Sequence, residues 1–175
     1  VFDEWVRRDV GRVYVQMFDS TLASFVGAPG ALCVHARTCG TSLALEHNGD
    51  VYSCDHFVEP EHLLGNISST HMLELVASPQ QRAFGKAKLD SLPGYCRACD
   101  VRFACNGGCP KDRFTLTPDG EPGLHYLCPS YQLFFRHVDR PMRFMAGALR
   151  TGRHADEVMA WMARQDRRAE APRMD

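Results

Sequence analysis

The stretch Cys96-Arg97-Ala98-Cys99-Asp100-Val101-Arg102-Phe103-Ala104-Cys105-Asn106-Gly107-Gly108-Cys109 decides how this chain is read. Closely spaced thiols and two adjacent glycines leave little room for regular structure. Residues 91–128 carry five of the eight cysteines together with Pro and Gly, and show little apolar periodicity. Such a loop-rich segment needs an external staple to hold one conformation. The remaining cysteines stand upstream at Cys33, Cys39 and Cys54.

Working outward, Ser42-Leu43-Ala44-Leu45-Glu46-His47 and Asp50-Val51-Tyr52-Ser53-Cys54 flank Asn48-Gly49. Asn-Gly suits the two left-handed positions of a type I′ turn, so a β-hairpin is expected, with His47 paired to Asp50. Counting back places Cys54 opposite Leu43 and returns it to the neighbourhood of Cys39.

Disulfides, zinc and iron–sulfur clusters compete to explain the cysteines. A disulfide framework suits short secreted chains, but no secretory signal opens this one. Hydrophobic residues make up 45% of the chain, enough for a packed core without such bridges. The pairs Cys96/Cys99 and Cys105/Cys109 suit shared metal ligation better. Zinc takes four thiolates in a closed tetrahedral site, with Gly107 and Gly108 letting the backbone turn around it. Clusters take four thiolates as well, so the count alone does not separate the two.

The rest of the chain supplies a frame. A short helix is expected over residues 1–9, a strand over Arg12–Phe18 and a loop over 27–30. Ser69 or Thr70 is the expected cap of a helix reaching Ala77. Ser78-Pro79-Gln80-Gln81 reads as a capped start for a helix to about Leu89, with Gln81 closing a capping box. Leu133, Phe134, Val138, Phe144, Met145 and Leu149 mark a long helix, expected to kink at Pro141. A last helix is expected over 155–168, followed by a frayed tail.

A net charge of −1 gives no hint of nucleic acid. The basic residues Arg164, Arg167, Arg168 and Arg173 read as a solvated tail. No stretch approaches the roughly 18 apolar residues of a membrane span. The chain opens on Val1 rather than Met, which suggests a fragment of a larger redox enzyme. No nucleic-acid or membrane partner is expected, and the expected location is cytoplasmic.

The whole cysteine arrangement, Cys39, then Gly49 and Cys54, then Cys96-x2-Cys99-x5-Cys105-x3-Cys109 and Cys128, resembles the SPASM domain. That domain is a C-terminal extension of many radical SAM enzymes that modify peptides. The closer likeness is to anaerobic sulfatase-maturating enzymes. It is carried by Phe2-Asp3-Glu4-Trp5-Val6-Arg7-Arg8-Asp9-Val10-Gly11, Leu43-Ala44-Leu45-Glu46-His47-Asn48-Gly49-Asp50, Tyr52-Ser53-Cys54-Asp55-His56-Phe57-Val58 and Cys99 through Lys111. It covers residues 1 to about 150.

The resemblance implies an α+β fold: a β-hairpin and loop-rich two-cluster module with flanking helices, preceded by the last elements of a partial TIM barrel. The implied domains are 1–30 (end of the barrel), 31–130 (SPASM) and 131–175 (C-terminal helices and tail). It implies one [4Fe–4S] cluster on Cys33, Cys39, Cys54 and Cys109, and another on Cys96, Cys99, Cys105 and Cys128. Full thiolate ligation favours electron transfer or structure over direct substrate chemistry. A third [4Fe–4S] cluster and S-adenosyl-L-methionine are implied for a part of the protein outside this sequence. No Cys-x3-Cys-x2-Cys motif occurs here, so the chain alone is not expected to cleave SAM. The implied partners are a sulfatase precursor peptide and a redox protein such as flavodoxin or ferredoxin. Another SPASM peptide maturase and a zinc-stapled binding module remain the alternatives.

Asp55 reads, from the residues alone, as a turn carboxylate. The resemblance instead implies the general base that deprotonates a target cysteine or serine during its oxidation to Cα-formylglycine. A carboxylate beside an anionic cluster is expected to have a raised proton affinity. His56 is either a donor to cluster sulfur or a structural histidine. His47 is expected in solvent, and His35 is a weak candidate for a thiolate substitute. Arg102 and Lys111 either offset cluster charge or face water, while Phe134 and Phe135 read as core.

Overall fold

The computed structural model describes residues 1–170. In chain order the elements are helices α1 (Phe2–Arg8) and α2 (Gln16–Val26), then strands β1 (Ala44–Leu45), β2 (Asp50–Tyr52) and β3 (Leu63–Asn66). Helices α3 (Met72–Val76), α4 (Pro79–Asp90), α5 (Gly94–Arg97) and α6 (Arg102–Cys105) follow. Strands β4 (Thr115–Leu116) and β5 (Pro122–Leu124) precede helices α7 (Cys128–Arg150) and α8 (Glu157–Glu170). The class is α+β. Two compact units divide the chain: residues 1–32, 103–105 and 129 onward form one, and 33–102 with 106–128 the other.

The first unit is helical. Along α7 the buried residues Phe135, Val138, Met142 and Met145 recur at intervals of three and four, one apolar stripe of an α-helix. Val138, Met142 and Met145 meet Phe2, Trp5 and Val6 of α1, Phe18 and Phe25 of α2, and Val158 of α8 in one core. The expected core assignment of Phe134 and Phe135 holds: Phe135 is buried and Phe134 packs against this cluster. Helix α7 continues as one element through Pro141. Arg7 of α1 adds a two-pronged bond to Asp166 of α8 at 2.9 and 3.0 Å. Met142 has no solvent exposure, so Met142→Ala is expected to cost about 2–5 kcal/mol. A denaturant titration checks this. An unchanged midpoint would remove Met142 from the core.

The strand expected over Arg12–Phe18 is absent. Residues 12–15 connect two helices, and no strand occurs among residues 1–32. The alternation there was accidental: Val13 and Tyr14 are both exposed, while Phe18 and Phe25, seven residues apart, face the core from α2. The last helix begins and ends two residues later than expected. Of the frayed tail expected after residue 168, residues 169 and 170 are helical; the rest, including Arg173, lies outside the described residues.

The second unit is built on two small antiparallel sheets, β1-β2-β3 and β4-β5. The hairpin exists, but its register differs by one from that expected. Ala44 pairs with Tyr52 and Leu45 with Val51, which sets Leu43 against Ser53 rather than Cys54. The cause lies in the turn. Gly49 takes φ 89°, whereas Asn106 is the single non-glycine residue with positive φ among the described residues. Asn48 therefore stays right-handed, and the loop spans three residues, with Gly49 N–H donating to Glu46 O at 2.9 Å. A three-residue loop ending in a left-handed glycine is the next commonest hairpin solution.

One cap differs, and one capping box is incomplete. His71 Nδ1 accepts from Leu73 N–H and caps α3, which begins only at Met72; Ser69 and Thr70 lie in the turn after β3, their amides donating to Asn66 O. Ser78 caps α4 as expected, accepting from Gln81 N–H at 3.1 Å. The capping box is only half formed. Gln81 Nε2 is drawn away to Gly40 O at 3.2 Å and Ser53 O at 3.1 Å.

Candidate metal centre

The second unit gathers the cysteines upstream of α4 with one from far downstream. Cys33 opens a 3-10 turn, Cys39 follows it, and Cys54 ends the hairpin. Helix α4 holds the first two by their backbones. Cys39 N–H donates to Gly85 O at 3.0 Å. A Cβ on residue 85 would stand 2.7 Å from Cys39 O, so only glycine permits that approach. One turn further on, Lys88 Nζ donates to Cys33 O at 2.6 Å and Val34 O at 3.0 Å.

Cys109 joins this group. Burial pushes the Cys39 thiol above its ordinary proton affinity; Lys88 opposes that, and the charges of Cys109 and Cys33 add to it. Burial likewise pushes Cys54 up to about 11, with Cys39 among the charges contributing. Cys39 is thus an electrostatic neighbour of each of Cys33, Cys54 and Cys109. Cys96 is separate. It is buried at the first turn of α5 and pushed up to about 11 by burial, then by the charge of Cys128, with Cys99 contributing. Glu121 fixes that turn by accepting from Gly94 N–H at 2.7 Å. Cys105 ends α6, in the stretch that groups with the first unit. None of the eight cysteines forms a disulfide.

The linker between the two sets is pinned by Arg113. Its guanidinium donates to the carbonyls of Asn106 at 3.0 Å, Gly107 at 2.9 Å, Gly108 at 3.2 Å and Lys88 at 2.8 Å. Asn106 in turn donates to His35 O at 2.8 Å, tying the linker to the Cys33 turn.

Asp55 is exposed, and Cys54 Sγ donates to its Oδ1 at 3.1 Å. That bond holds the Asp55 carboxyl below its ordinary proton affinity, the opposite of the direction expected beside a cluster. The cause is the thiol proton. An iron-bound Cys54 would be a thiolate with no proton to donate, so this depression belongs to the cluster-free chain. His56 Nδ1 lies 3.4 Å from Cys109 Sγ. His47 is solvated as expected, its side chain 93% exposed. His35 is buried. Arg102 is exposed and donates to Arg97 O. Lys111 pairs with Glu59 and lies over the Phe57 ring.

Residues 33–100 match the model of SPASM, an iron–sulfur cluster-binding domain. The chain carries a SPASM domain. Over 145 residues it is 54% identical to the serine-type anaerobic sulfatase-maturating enzyme of Bacteroides thetaiotaomicron, covering 83% of this chain and 35% of that one. Over 140 residues it is 30% identical to the cysteine-type enzyme of Clostridium perfringens strain 13, covering 79% and 37%. A solved structure of native anSMEcpe with bound AdoMet and Cp18Cys peptide superposes with a TM-score of 0.71 at 29% identity, over 85% of this chain and 41% of that one. The chain therefore spans little more than a third of these relatives.

The residues of the SPASM domain fit a cluster. The Cys39 and Cys33 backbones are fixed by α4, and the cations Lys88 and Arg113 act on the thiols. The Ser53 hydroxyl, adjacent to Cys54, is buried without a hydrogen-bond partner. Among the described residues no three His, Cys, Asp or Glu side chains are gathered closely enough to hold a single metal ion. No helix among them is long and apolar enough to cross a membrane.

Sequence reasoning passed over Lys88, Arg113 and Glu121. One signal was present for Lys88. The buried face of α4 is Gln81, Gly85 and Lys88, an i, i+4, i+7 stripe that is polar where a core stripe is ordinarily apolar.

Proposed function

We propose that this chain is the auxiliary-cluster portion of a radical SAM enzyme that oxidises a cysteine or serine of a sulfatase to Cα-formylglycine. The observation that carries the reading is the 54% identity to a serine-type sulfatase-maturating enzyme across 83% of this chain. Cys33, Cys39, Cys54 and Cys109 would hold one [4Fe–4S] cluster, supported by their electrostatic proximity. Cys96, Cys99 and Cys128, with Cys105 added by the family pattern, would hold the other. When bound, such clusters supply one-electron transfer. Residues 1–30 are read as the end of the partial barrel, 31–130 as the SPASM portion and 131–175 as the C-terminal helices. The SAM-cleaving cluster and SAM itself belong to the part of the protein outside this sequence.

The chain's own contributions are to hold and to deprotonate. Exposed Asp55, anchored beside Cys54, takes the proton from the target thiol or hydroxyl as the hydrogen on its Cβ is lost to the SAM-derived radical. Clusters held on these cysteines would supply the acceptor for the second electron, which would pass on to a flavodoxin- or ferredoxin-like protein in the cytoplasm. A serine target is then an aldehyde, and a cysteine target a thioaldehyde that water converts to the aldehyde with loss of hydrogen sulfide.

Anaerobic purification followed by iron and sulfide analysis tests the cluster reading. The expected result is about eight irons and a broad absorption band near roughly 400 nm. Two zincs per chain and a colourless protein would end it. With the full-length enzyme, sulfatase-derived peptides carrying Cys-x-Pro-x-Arg or its serine counterpart should be oxidised to the aldehyde. A loaded enzyme that leaves both untouched belongs to another class of peptide maturase.

A further inference from the structure

Lys88 is 1% exposed. An ammonium removed from water is costly unless negative charge compensates it, yet no carboxylate pairs with Lys88 among the described residues. Its partners are the carbonyls of Cys33 and Val34, at 2.6 and 3.0 Å. Burial lowers its proton affinity and the charge of Arg113 adds to that, while the charges of Cys39, Cys33 and Cys109 favour the protonated form. Its position is rigid, because the same helix face holds the Cys39 backbone through Gly85. The surroundings of Cys96 differ: the largest charges acting on it are those of Cys128, Arg113, Cys99 and Glu121.

We propose that Lys88 is a buried counter-charge for the Cys33–Cys39–Cys54–Cys109 site, raising the reduction potential of the cluster held there and leaving the other cluster unchanged. The inference rests on the cluster reading above. One-electron reduction adds one negative charge to a cluster and its thiolates. A fixed positive charge nearby stabilises the reduced form more than the oxidised one, and a low-dielectric interior strengthens the effect. In water the same charge would be screened. Lys88 is a positioning residue: it touches the ligand loop and acts on the redox couple through space.

The test is a reductive titration with dithionite as electron donor, followed by electron paramagnetic resonance, on full-length enzyme purified without oxygen. Lys88→Gln, Lys88→Met and Lys88→Arg are compared, each checked for iron content and by circular dichroism. The neutral variants are expected to lower the reduction equilibrium constant of one cluster about tenfold, about 59 mV for a one-electron couple. The other cluster should keep its potential, and Lys88→Arg should restore the first. Loss of one cluster's iron in both neutral variants with retention in Lys88→Arg supports the proposal equally, since charge is then what assembly requires. Equal shifts at both clusters, no shift at either, or iron loss in Lys88→Arg overturns the proposal. An unmodified protein without iron would instead sink the cluster reading itself, a separate result.

Discussion

Cys109→Ala is expected to strip about half the iron from the anaerobically purified protein, and the cluster lost should be the one served by Cys33, Cys39 and Cys54. Cys109 follows Cys96, Cys99 and Cys105 in sequence and would be assigned to their site by proximity along the chain. Its charge acts instead on Cys39. The comparison that decides is with Cys96→Ala. That variant should lose a similar amount of iron but a different paramagnetic signal in the reduced protein. If both variants abolish the same signal, the ligand sets run sequentially and the interleaving is wrong. Peptide oxidation by the full-length enzyme should fall below detection in Cys109→Ala, because the electron released from the target loses its way out.

The second large effect is expected at Asp55. Asp55→Asn removes a proton acceptor while keeping the shape of the side chain, so iron content and absorption spectrum should be unchanged. Peptide oxidation should fall on the order of a hundred- to ten-thousand-fold, the range carried by a positioned general base. Because Asp55 is exposed, no loss of folding stability should accompany this. Full activity in Asp55→Asn would return the residue to its bland role as a turn carboxylate. SAM cleavage without peptide oxidation would be informative in the other direction: the radical forms, and only the proton step is blocked.

The hairpin and the strand that failed to appear mark where the sequence was legible. Asn48-Gly49 announces a turn, and a turn is there. Asn-Gly suits both a two-residue loop and the tail of a three-residue loop, and the choice depends on whether Asn48 joins Gly49 at positive φ or Gly49 crosses alone. Cross-strand packing settles that, so the register slipped by one residue. Over Arg12–Phe18, alternation was counted across a boundary. Val13 and Tyr14 belong to a connection and Phe18 to a helix, and seven residues were too few to separate the two periods. The cysteines were legible because their spacing is chemistry in itself. Lys88 and Arg113 were not, because a long basic side chain looks alike in sequence whether it meets water or a buried carbonyl.

Arg113, which pins the linker through four carbonyls, has one more consequence. Its charge is among the largest on both Cys39 and Cys96, whereas that of Lys88 is among the largest on Cys39 only. In the language of circuits, Arg113 is a common-mode control and Lys88 a differential one. Changing Arg113 should move both couples together and leave the voltage between them nearly intact. Changing Lys88 alters that voltage, and with it the downhill direction for an electron passing through the chain.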